Sequence, residues 1–173
     1  MEVIKAIETR RSVRRFKEDP FPDEVLQQLL QAGSMAPSAG NVQPWQFFVV
    51  RNKKAHSRLA DAALGQSWMI KAPVIVVVCA DLARSAISYG QRGTTLYALQ
   101  DTAAAIENML LVAVEEGLSS CWIGAFREEI VAELLHINPE KVRPVALVVL
   151  GYADETPFKP PKRKLEEVVH YID

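Results

Sequence analysis

The sequence predicts a mixed αβ domain, on three observations. Two β-branched runs, "PVIVVVCAD" and "RPVALVVLGYAD", alternate with stretches of helical periodicity. The chain opens on two helical stretches, so it lacks the strict strand–helix–strand rhythm of a doubly wound sheet. The stretch Thr95–Gly117 is apolar around most of its circumference, which makes it a central helix. With 173 residues, no internal repeat and no linker, the chain is expected to form one domain, 1–173.

The elements follow in order. Residues 2–10 place Val3, Ile4 and Ile7 on one helical face. Asp19-Pro20 and Phe21-Pro22 break the chain, and "PDEVLQQLLQAGSMA" restarts a helix with acids in its first turn and Val25, Leu26, Leu29 and Leu30 apolar. Ala36–Trp45 is a loop of small and turn-forming residues, followed by the strand "QFFVV". "KKAHSRLADAAL" is a short amphipathic helix, on which the lone His56 reads as a surface residue. Pro73–Asp81 is an interior strand, because an unbroken apolar run implies that both faces are covered. Residues 82–95 read as less regular. The central helix follows and stops at Gly117, a C′ position. "LSSCWIGAF" is a short buried segment, "REEIVAELLHI" a helix and "RPVALVVLGYAD" a strand. The tail is Pro-rich and basic, ending in a strand-like or short helical piece.

Composition narrows the function. Lys and Arg number 20 against 21 Asp and Glu, a formal charge of −1, which disfavours a nucleic-acid surface. No signal peptide or membrane-length apolar run is visible, so a cytoplasmic location is expected. Cys79 and Cys121 lie in apolar surroundings without metal-type spacing and read as buried free thiols. Nucleotide loops, a GxSxG elbow and His clusters at ligand spacing are all missing, so no metal site is expected.

Four segments stand out. "RRSVRRF" gathers Arg10, Arg11, Arg14 and Arg15 around Ser12. Guanidinium groups fit phosphate bidentately, although such a run also serves as a solvated basic face. "PSAGNVQPW" offers Ser38, Asn41 and Gln43 on a loop shaped by Pro37, Gly40 and Pro44. "CWIGAF" places Gly124 where a backbone amide can approach a ligand, or where a core strand bulges. "PKRK" is a second basic group, at Pro161–Lys164.

Taken in this order, the segments resemble the FMN-dependent nitroreductase family. "RRSVRRF" with "APSAGNVQPWQFFVV" resembles its N-terminal signature. "QDTAAAIENMLLVAVEEGLSSCWIGAF" is similar to its central helix and flavin-facing segment, and "VALVVLGYADETPFKPPKRKLEEVV" to its closing strand and phosphate contact. The resemblance implies an α+β sandwich, a central mixed sheet flanked by helices, in an intertwined homodimer with FMN at the subunit interface. It implies that Arg10, Arg11, Ser12 and Arg14, with Lys162 and Arg163, hold the phosphate and ribityl chain. Pro37, Ser38, Asn41 and Gln43 would reach the flavin from the partner, and Ile123, Gly124 and Ala125 would line its ring. Arg15 reads instead as paired with an acidic neighbour.

The activity implied is ping-pong electron transfer from NADH or NADPH to nitroaromatics, quinones or similar acceptors, with no catalytic acid or base. A non-enzymatic flavin-storage protein, a reductive dehalogenase and a flavin-fragmenting enzyme are the alternatives. Longer members of the family carry a lid; the short "DLARSAISYGQRGTT" leaves Tyr89, Arg92 and Trp68 for that role.

Overall fold

A computed structural model describes residues 2–172. Four strands form one sheet in the order β1–β2–β4–β3, where β1 is Trp45–Val50, β2 Val74–Asp81, β3 Ser119–Ile123 and β4 Val142–Gly151. All three pairings are antiparallel. A parallel bridge, Ser12 to Ser120, lays the N-terminal arginine segment along the free edge of β3.

Strand β2 shows why a continuous apolar run belongs inside. Ile75, Val77 and Cys79 join one core cluster, while Val74, Val76 and Val78 join the other. Alternate side chains of one strand thus fill both layers. One layer is made by α2 (Asp23–Ser34) and α5 (Ala98–Glu115), through Leu26, Leu29, Ile106, Met109 and Leu110. The other is made by α3 (Lys53–Ala62) and α6 (Glu128–Leu135), through Leu59, Ala60 and Val131. Fully burying a side chain such as Leu29 or Met109 contributes about 1.5–3 kcal/mol. Helix α5 ends as expected. Gly117 takes φ 71° and the Leu118 amide donates to the Ala113 carbonyl at 2.7 Å.

The first helix, α1 (Val3–Thr9), buries only Ala6 and leaves its apolar face uncovered, with Val3 68 % and Ile4 65 % exposed.

Three expectations are corrected. Residues 82–89 are helical: α4 (Leu82–Arg92) starts on Asp81, whose carboxylate accepts from the Arg84 amide at 2.9 Å, and is kinked at Gly90. Its glycines suggest irregularity because they shape the helix end. Gly90 has φ 52° and ψ −135°, and a π-helical turn, Gly93–Tyr97, then leads into α5. His56 is not a surface residue. It is fully buried, with Nε2 2.9 Å from the Val50 carbonyl, because its i+3 and i+4 neighbours Leu59 and Ala60 share the core-facing stripe. Trp68 is no lid residue; it stacks on the buried Phe16 at 6.1 Å between ring centroids.

Candidate functional site

The arginine segment is positioned from two sides. The Val13 amide donates to the Ser120 carbonyl at 3.0 Å, and Phe16 bridges Ala153 just beyond β4. Val13 and Phe16 are sequestered in the core, while Arg10, Arg11, Ser12 and Arg14 line a cavity of about 660 Å³. The far wall is the tail, with Lys159 and Lys162 among its lining residues; α5 contributes Glu107. Five cations therefore face two carboxylates, Glu107 and Glu155. Arg10 Nε lies 3.8 Å from Glu107, and Arg11 Nη1 donates to the Arg10 carbonyl at 2.6 Å. Such a surplus of fixed cations, several of them guanidinium groups, suits a multiply charged oxyanion.

Two basic residues turn elsewhere. Arg15 lies 3.5 Å from Asp154, an acid remote in sequence. Arg163 is held by Glu167, through its carboxylate at 3.2 Å and its carbonyl at 2.9 Å, and does not line the cavity.

A second cavity, about 320 Å³, also borders α5: Ile106 lines it and the next residue, Glu107, lines the first. Trp122, Gly124, Phe126, Thr102 and Ala103 contribute to it. On its rim Arg143 donates to both Glu128 oxygens, at 2.8 and 2.7 Å. That bond pushes the Arg143 guanidinium further up in pKa. The Ile123 side chain is buried in the α3–α6 layer, so only its main chain can face a ligand. Ala125 is exposed at the end of β3.

The loop of Pro37, Ser38, Asn41 and Gln43 lines neither cavity of its own protomer. It is held in a defined shape. The Gln43 amide donates to Ser38 Oγ at 3.0 Å, Gln43 Nε2 donates to Asn41 Oδ1 at 3.1 Å, and Gly40, Asn41 and Gln43 all have positive φ. The Tyr89 hydroxyl packs so closely on Gly40 that a side chain there would collide with it, and Arg84 Nε donates to the Val42 carbonyl. Helix α4 thus covers this loop, while Arg92 lies over the Tyr97 ring, 5.2 Å from its centroid.

Sequence reasoning missed Asp101, Glu107, Glu155, Lys159 and the Glu128–Arg143 pair. Asp101, a carboxylate on the buried side of a largely apolar helix, carried a usable signal; Glu155 carried none, because its contact is with a segment about 140 residues away.

The model of the Nitroreductase family matches residues 7–67 and 63–152. The chain belongs to the nitroreductase family. Among its relatives is a protein of Archaeoglobus fulgidus, provisionally named an NADH dehydrogenase/NAD(P)H nitroreductase. It is 39 % identical over 162 residues, covering 91 % of this chain and 89 % of the relative. The FMN reductase [NAD(P)H] of Bacillus subtilis is 30 % identical over 183 residues, covering 98 % and 73 %. Among solved structures, B. megaterium NfrA2 superposes with a TM-score of 0.90 at 27 % identity, covering 98 % of this chain and 74 % of that one. The nitroreductase fold therefore accounts for the antiparallel sheet between helical layers.

Among the described residues, no helix is long and apolar enough to cross a membrane, and no cluster of His, Cys, Asp or Glu is placed to hold a metal.

Proposed function

We propose that this nitroreductase-family chain is an FMN-dependent oxidoreductase that draws electrons from NADH or NADPH by a ping-pong mechanism and reduces nitroaromatics, quinones or similar acceptors. The observation that carries the reading is the meeting of Arg10, Arg11, Ser12 and Arg14 with Lys162 around one cavity of about 660 Å³. The donor set suits the phosphate end of the cofactor, while Gly124, assigned to the ring, lines the second cavity. The names of two relatives, FMN reductase [NAD(P)H] and NADPH-flavin oxidoreductase, support the same cofactor and donors.

Bound FMN supplies the hydride and electron-transfer chemistry, and the protein supplies binding, orientation and electrostatics. Arg10, Arg11 and Arg14 hold the phosphate, with Lys162 closing from the tail and Ser12 adding a hydroxyl. Arg163 joins them only on leaving Glu167. The main chain at Ile123, Gly124 and Ala125 faces the ring. Pro37, Ser38, Asn41 and Gln43, which line neither of these two cavities, are assigned to the flavin of the partner subunit across a homodimer interface. The uncovered face of α1 gives the second subunit an apolar surface. No side chain is assigned as acid or base.

Initial rates at several fixed quinone concentrations test the mechanism. Parallel double-reciprocal lines against NADH or NADPH are expected, and converging lines contradict it. A storage protein would give no NAD(P)H oxidation at all.

A further inference from the structure

We propose that Glu155 is a positioning residue for the phosphate end of the cavity. Its carboxylate fastens the basic tail to the arginine segment, so that Lys159 and Lys162 face Arg10 and Arg14. The inference rests on the FMN reading above and assigns a role to a residue outside it.

The geometry is a short ladder completed by a side chain. Beyond β4, the Tyr152 carbonyl accepts from the Lys17 amide at 2.9 Å, and the Asp154 amide donates to the Arg15 carbonyl at 2.8 Å. One residue further on, the main-chain pairing stops. There Glu155 Oε1 accepts from the amides of both Arg14 and Arg15, at 2.6 and 3.2 Å. Pro157, Pro160 and Pro161 follow, and a proline has no N–H to extend a ladder. Among the described residues, this is the last hydrogen bond fixing the tail to the body before the turn at Leu165–Glu167.

Electrostatics alone gives no reason for this residue. A carboxylate in a cavity meant for a phosphate repels the ligand. Its place there is explained by the two amides it holds and by where that hold sends the lysines. Glutamine keeps a carbonyl oxygen able to accept both bonds and removes the charge; alanine removes both.

The test measures Kd for FMN and for riboflavin, which lacks the phosphate, in wild type, E155A, E155Q and the K159A/K162A double variant. Wild type is expected to prefer FMN. E155A should weaken FMN by about tenfold, one charge-assisted contact, while riboflavin stays within about twofold. E155Q should bind FMN at least as tightly as wild type. Adding E155A to K159A/K162A should cost little more, because the clamp acts through those lysines. The proposal is overturned if E155A keeps the full FMN preference, if both ligands weaken equally, if E155Q fails as E155A does, or if the E155A and lysine effects add. A wild type that binds both ligands alike overturns the phosphate reading itself, a failure separate from the E155A result.

Discussion

Asp101 Oδ1 accepts a hydrogen bond from the Ala39 amide at 3.1 Å, tying the central helix to the loop that carries Ser38 and Asn41. The other oxygen, Oδ2, is buried and, among the described residues, has no partner. Burial pushes the carboxyl pKa above the ordinary range, opposed by the Ala39 N–H. Folding therefore favours the protonated form relative to the unfolded chain. Its stabilisation is complete below the ordinary aspartate value of about 4 and is lost as pH rises through the raised native value. Asp101→Asn, which cannot ionise, should be more stable than wild type at pH 8, with the gap closing toward pH 4. Urea melts across that range check it; a gap independent of pH contradicts it.

Arg10 and Arg14 are expected to act on ligand binding and not on assembly. Each charge-assisted contact contributes about 1.5–3 kcal/mol, so Arg10→Ala and Arg14→Ala should each weaken FMN by roughly 10–150-fold. Gel filtration should be unchanged. Arg163→Ala should weaken it by less than about threefold, because Arg163 is engaged by Glu167.

His56 is expected to matter only for stability. His56→Ala removes a fully buried ring and the partner of the Val50 carbonyl, at a cost of about 2–4 kcal/mol. Denaturant midpoints should fall while FMN affinity in the folded protein holds.

Both thiols are expected to be inert. Cys79 is fully buried and its pKa is pushed up to about 12, and burial raises that of Cys121 as well, against the pull of Arg14 and Ser12. Neither should react with a thiol reagent at pH 8 until urea unfolds the chain. Fast labelling of the native protein contradicts this.

What the sequence revealed tracks how local each cause is. The β2 run, the stop at Gly117 and the arginine segment are written in consecutive residues, and their structures follow from periodicity, a left-handed glycine and fixed charge. His56 was misread because a polar type outweighed its position on the stripe with Leu59 and Ala60. Residues 82–95 are irregular only in part: the chain is helical up to Gly90, which does break it, and Gly93 looks like a second breaker. Gly93 instead permits close packing, since a side chain there would meet the Ser85 carbonyl. Glu155 and Asp101 act on segments far away in the chain, and no pattern within a window of residues encodes such a contact.

The visible absorption spectrum of the purified protein, loaded with FMN and followed anaerobically, tests the central claim most directly. The account predicts an oxidised-flavin spectrum that bleaches on adding NADH or NADPH and returns with a quinone or nitroaromatic. A protein that retains no FMN, or one whose bound flavin stays oxidised with both nucleotides, contradicts it.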